Sequence, residues 1–123
     1  MGWRLEFAAP AESDFARIFD HLADSYIAFG EEPDDALIHA ARRIRQIRDE
    51  ADCLLVAPHR GQGQDDLLPG SRSTSFGQAR YWFTRNDEPE SVTVLAVFYG
   101  GQDARRRMLL RALSPDLWKH RRC

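Results

Sequence analysis

Two apolar stripes at helical spacing occupy most of the first half of the chain, and they restrict the fold more than any other feature. Phe15, Ile18, Phe19, Leu22, Tyr26 and Phe29 fall at i, i+3, i+4, i+7, i+11 and i+14, one face of a 3.6-residue period. Gly30 follows as a stop. Pro33 then suits the first turn of a second helix, and the carboxylates around it complement that helix's dipole. Leu37, Ala40, Ala41, Ile44, Ile47, Ala51 and Leu54 form the second stripe, with Arg42, Arg43, Arg45 and Arg48 on the opposite face. Two amphipathic helices joined by a short glycine-containing turn read as an αα-hairpin, which must lay its apolar side on another layer.

The second half supplies that layer. The spacing predicts short strands over residues 72–76 and 79–85, with Gly77-Gln78 as the turn between them. The segment 92–99, VTVLAVFY, is apolar at nearly every position, as expected of a central strand covered on both faces. Trp3 to Phe7 alternates apolar and polar and reads as an opening strand, ended by Pro10. Residues 57–70, rich in Pro and Gly, read as a loop. After Gly100-Gly101 a short helix is expected, with Asp103 as N-cap and Met108, Leu109 and Leu113 as its apolar contacts. The expected fold is therefore α+β, a small antiparallel sheet with the helical hairpin on one face, in the order β-α-α-β-β-β-α. The sheet's other face is expected to be partly open. At 123 residues this is one domain, drawn here as residues 1–113 with a C-terminal tail of 114–123.

Net charge is −2, but it is unevenly spread. Residues 1–66 balance at −7 and residues 67–123 at +5. All but one of the 17 basic residues are arginine, which favours planar, bidentate contacts. An acidic chain overall is a poor non-specific nucleic-acid binder. There is no signal-peptide pattern and no apolar run long enough to span a bilayer, so a cytoplasmic protein without membrane contact is expected.

Few residues suggest reactive chemistry. His21, His39, His59 and His120 have no metal-ligand spacing, and Cys53 and Cys123 form no paired motif. Gly61-Gln62-Gly63 lacks the strand, helix and lysine of a phosphate loop. No metal or cofactor is expected. Arg105, Arg106 and Arg107 stand at a helix start, where cations oppose the dipole unless an anion sits over them. Consecutive helical residues point about 100° apart, so the three cannot face one partner, and Arg106 is the one expected to look towards the open sheet face.

Several segments together resemble the RelE/ParE superfamily of bacterial toxins from type II toxin–antitoxin operons. They are the entry APAESDFARIFDHLA, the arginine-rich second helix, APHRG, LLPGSRS, ARYWFTR and VTVLAVFYGGQD. The resemblance covers about residues 3–113 and is closer to ParE. It implies a toxin silenced by a cognate antitoxin, of ribbon-helix-helix type, whose C-terminal segment wraps it. It also implies one of two activities: ParE-type poisoning of DNA gyrase through protein binding, or RelE-type cleavage of mRNA on the ribosome. The cleavage reading would enlist Arg72, Arg80 and Arg106. Against it, Gln102 and Met108 stand where such nucleases place reactive groups, and Ser73-Thr74-Ser75 stands where they place lysines. Metal-free RNA cleavage needs a base, an acid and cations around the phosphate, so the residues argue against an enzyme. Arg80, Tyr81, Phe83, Tyr99 and Arg105–Arg107 are then the expected contacts for antitoxin or target, because the three aromatic side chains cannot all point into a core built by two helices. A degenerate toxin that retains only antitoxin binding is the remaining alternative. Arg72 has a plainer reading, anchoring a loop by hydrogen bonds to its carbonyls.

Overall fold

The helical hairpin forms because its helices are amphipathic and start and stop on residues suited to helix ends. In the computed structural model, α1 runs Ala9–Ala28 with Pro10 in its first turn, and α2 runs Pro33–Glu50 with Asp34 and Asp35 in its first turn. At the end of α1, Gly30 adopts a φ of 106°. Its N–H reaches the Ile27 carbonyl at 2.9 Å, and the Glu31 N–H reaches Tyr26 at 3.0 Å. That pairing is a Schellman stop, which favours glycine at the left-handed position. Side chains then close the turn: the Tyr26 and His39 rings stack at 3.7 Å, and His39 Nδ1 lies 3.0 Å from Glu31 Oε2. Farther along, Arg48 holds Glu12 at 2.6 and 3.3 Å and lies over the rings of Phe7 and Phe15. Thus not all of the arginines of α2 form a solvated face.

The structure describes residues 3–56, 61–65, 69–87, 90–100 and 104–113, except for the side chains of residues 104, 105 and 112. The remaining elements are β1 (Arg4–Phe7), a single turn α3 (Cys53–Val56), β2 (Gln62–Gly63), β3 (Ser71–Phe76), β4 (Ala79–Asp87), β5 (Glu90–Tyr99) and α4 (Ala104–Ala112). They make one five-stranded sheet in the order β1-β5-β4-β3-β2. The β3-β4-β5 meander is antiparallel, as expected, whereas β1 joins the edge of β5 in parallel, Phe7 opposite Val94. The strand β2 falls inside the segment read as loop, where Gln62 and Gly63 pair with Ser73 and Arg72. The expected cap Asp103, Gln102, His59 and His120, and the tail 114–123 lie outside the described residues.

A bulge decides which side chains face the helices. The β4–β5 register runs Trp82 opposite Ala96 and then Phe83 opposite Val94, so Leu95 is an extra residue on β5. An extra residue shifts the two-residue alternation by one. Val92, Val94, Val97 and Tyr99 consequently all face the helices, and Leu95, Ala96 and Phe98 face away. The main core joins Phe15, Ile18, Leu22, Ile47 and Leu54 from the helices to Tyr81, Phe83, Val92, Val94 and Val97 from the sheet.

This overturns the expectation that the strand aromatics would be left on an open face. Tyr81 and Phe83 are fully buried beneath the helices, and Tyr99 is half-buried against the same core. Tyr81 reaches deep enough to donate its hydroxyl to the Ile47 carbonyl at 2.6 Å. Two helices of 20 and 18 residues cover enough of the sheet to bury Tyr81 and Phe83 and to pack Tyr99 against the same core.

Candidate functional site

Strand alternation separates the arginines. Arg72 sits opposite Phe83, on the helix side of the sheet, while Arg80 sits opposite Ser75, on the outer side. Arg72 Nη2 donates to the Gly61 carbonyl at 2.8 Å, which is the loop-anchoring role expected of it as the plainer reading. Arg80 Nη1 donates to the Ser73 hydroxyl at 3.1 Å, and its guanidinium lies 6.0 Å from the Trp82 ring. Arg72 and Arg80 therefore do not converge on one phosphate-sized position.

The outer face carries a second cluster of Trp82, Leu95, Ala96 and Phe98, closed by Met108 from α4. Met108 is fully buried, as its expected contact role requires, but Leu109 and Leu113 are exposed. Of Arg106 and Arg107 it is Arg107 that reaches this face: its guanidinium lies 5.9 Å from the Phe98 ring, which Arg111 of the same helix approaches to 5.2 Å. Arg106 is exposed to solvent. For Arg105 only the helical backbone is described. Beneath α4 the Trp82 indole N–H is buried without an acceptor.

The sequence reading missed the residue pair that fixes α4. Asp14 on α1, 3% exposed, accepts Arg111 Nη1 at 2.6 Å and Nη2 at 2.7 Å. The same carboxylate accepts the Val97 backbone N–H at 2.9 Å. The described part of β1 pairs with β5 only as far as Val94, so Asp14 takes an edge donor that no strand takes there. A bidentate carboxylate–guanidinium pair is short, directional and strong. One signal was available: Asp14, Ile18 and Leu22 lie at i, i+4 and i+8, so a carboxylate stands on a buried helical face. Such a group requires a cation, although spacing does not reveal one 97 residues away.

Alongside this pair runs an open cleft of about 750 Å³ between α1, the end of β5 and α4. Its walls include Arg17, His21, Arg107, Ile18, Phe98 and Leu110. No cluster of three or more metal-ligating side chains occurs among the described residues. The titration behaviour resolved here belongs to the core side: burial pushes the Tyr81 phenol well above its usual value, with Glu50 adding to the effect. No described helix is long and apolar enough to cross a membrane.

Solved structures share this architecture. A chromosomal ParDE toxin–antitoxin system of P. aeruginosa matches with a TM-score of 0.58 and 17% identity, over 79% of this chain and 95% of that one. The toxin–antitoxin complex RelBE2 of Mycobacterium tuberculosis matches with a TM-score of 0.56 and 20% identity, over 80% and 92%. A free mutant of the E. coli toxin RelE matches with a TM-score of 0.55 and 12% identity, over 93% and 100%. No family model and no curated protein sequence matches. The chain has the fold of the RelE/ParE toxins.

Proposed function

We propose that this chain is the toxin of a type II toxin–antitoxin pair, working in the cytoplasm by binding a protein, as ParE-type toxins do, and not by cutting RNA. DNA gyrase is the target this reading names, and a cognate antitoxin of ribbon-helix-helix type keeps the toxin silent. The fold is common to ParE and RelE toxins, so the choice between them rests on side chains. The observation that carries it is the placement of Arg72 and Arg80 on opposite sides of the sheet, with Arg72 spent on the Gly61 carbonyl. A metal-free nuclease needs its cations and its proton-transfer groups around one phosphate. Here the neighbours of Arg80 on the outer face are hydroxyls and an apolar cluster closed by Met108. Arg80, Arg106 and Arg107 are proposed as partner contacts, whereas Tyr81 and Phe83 are not, being buried in the core.

The deciding experiment is induction of the toxin without antitoxin, followed by supercoiling assays with purified gyrase and by mapping of transcript ends on translating ribosomes. Inhibited supercoiling with intact transcripts is the expected result. Rapid cleavage of transcripts within ribosomes, lost on Arg80→Ala, would overturn the reading in favour of a RelE-type nuclease.

A further inference from the structure

We propose that the cleft between α1 and α4 is a docking groove for an acidic peptide segment of a protein partner, one that carries an apolar side chain between carboxylates. The inference rests on the protein-binding reading above and adds the chemistry of the bound segment. Its first support is charge. The cleft's one acidic wall residue, Asp14, is already neutralised at 2.6 and 2.7 Å by Arg111. Arg17 stands 4.0 Å from Asp14 with its side chain 75% exposed, and Arg107 is exposed on the facing wall. Two guanidiniums therefore face one cleft with a single carboxylate that is already spent. His21 lies on the same helical face as Arg17.

The second support is shape and polarity. Between the cations the floor and walls are apolar, formed by Ile18, Val97, Phe98 and Leu110. Leu110 is exposed although it lines a concave surface, which an occupant would cover. Arginine pairs with carboxylates through two parallel hydrogen bonds, and a peptide presenting carboxylates on both sides of an aliphatic or aromatic residue matches this layout. A nucleic-acid strand fits less well, because its affinity grows with the number of phosphates neutralised, and besides Arg111, which is held by Asp14, the cleft offers only Arg17 and Arg107.

The test uses the full-length purified chain and the fluorescein-labelled peptide Asp-Glu-Leu-Phe-Glu-Asp, read by fluorescence anisotropy. Two comparison probes are its amide counterpart, Asn-Gln-Leu-Phe-Gln-Asn, and a single-stranded RNA of equal charge. Peptide binding that weakens about tenfold in the Arg17→Gln/Arg107→Gln variant is expected, the loss of two exposed ion pairs. Arg42→Gln on the far side of α2 should change it by less than about twofold. Thermal melting of each variant confirms that the fold persists. The proposal is overturned if the acidic peptide does not bind, if its amide counterpart binds equally, or if the variant binds as tightly as the parent. RNA binding with the same arginine dependence and tighter than the peptide would also overturn it. Since no gyrase or ribosome enters the assay, transcript cleavage in the induction experiment would refute the proposed function without touching this result.

Discussion

Replacing Arg111 by methionine tests the Asp14–Arg111 pair most directly, because methionine keeps an unbranched apolar stem and removes the guanidinium with its charge and its two hydrogen bonds. Asp14 is nearly fully buried and Arg111 is 15% exposed at its side chain. After the substitution the carboxylate keeps the Val97 N–H at 2.9 Å and a distant Arg17 at 4.0 Å. Stranding a buried charge typically costs 3–5 kcal/mol, and the remaining partners reduce that here to about 2–4 kcal/mol. For a domain of this size, such a loss lowers the melting temperature by roughly 6–20 °C. Changing Asp14 to asparagine as well should recover part of the loss. An amide can still accept the Val97 N–H, and no unpaired charge then remains. A double-mutant cycle in urea would measure the coupling, expected at about 1–3 kcal/mol. If Arg111→Met alone were within about 0.5 kcal/mol of the parent, the pair would not be holding α4 against α1 and the docking of that helix would need revision.

Other consequences are quickly checked. Burial raises the pKa of Tyr81 above that of an unfolded tyrosine, so the folded state holds this proton more tightly. Stability should be level below about pH 10 and fall above it by about 1.4 kcal/mol per pH unit. The fall attributable to this group should vanish in Tyr81→Phe when urea titrations are repeated at each pH. At Gly61, φ is 87° and an added Cβ would lie 2.5 Å from the Ser73 carbonyl oxygen. Gly61→Ala should thus lower stability by about 1–3 kcal/mol, visible in a thermal melt. On the proposed function, Arg72→Met releases the Gly61 carbonyl and should leave growth inhibition in place, whereas a catalytic Arg72 would make that variant harmless. Phe29 is 90% exposed, and Phe29→Ser should change stability by less than about 0.5 kcal/mol while raising the concentration at which the chain remains soluble.

Helical period was a good guide where the helix continued and a poor one at its end. Phe15, Ile18 and Leu22 are buried as their spacing requires, yet Phe29, on the same stripe, lies one residue past the end of α1 and points to solvent. On α2, Ala36, which the stripe did not include, is core beside Ala40, while Leu37, which it did, remains half outside. Close helix packing selects alanine there, and hydrophobicity alone does not mark it. The bulge at Leu95 was illegible because Thr93 precedes it and the run Leu95 to Phe98 contains no polar residue to show where alternation changes phase. That phase change set which β5 residues lie under the helices, whereas on β4 plain alternation puts Tyr81 and Phe83 beneath them and Trp82 on the outer face. The clamp on α4 joins residues from opposite ends of the chain, and only the assembled sheet brings them together.

The parallel seam between β1 and β5 has a consequence for synthesis. Residues 4–7 find their partner only at 91–94, so the first strand emerges from the ribosome long before there is anything for it to join. Contacts this remote in sequence form late and slowly. The helical hairpin, by contrast, is complete once residue 50 is made, and until β3, β4 and β5 follow it carries an uncovered apolar side. A nascent chain halted before residue 90 therefore has its helices but lacks β5, the strand that joins β1 to the rest of the sheet beneath them. Such a fragment should be aggregation-prone and lack the outer face on which Arg80 and α4 sit. In a growing cell the finished surface exists only for chains translated through α4, and shorter ones should be inert towards any partner that reads it.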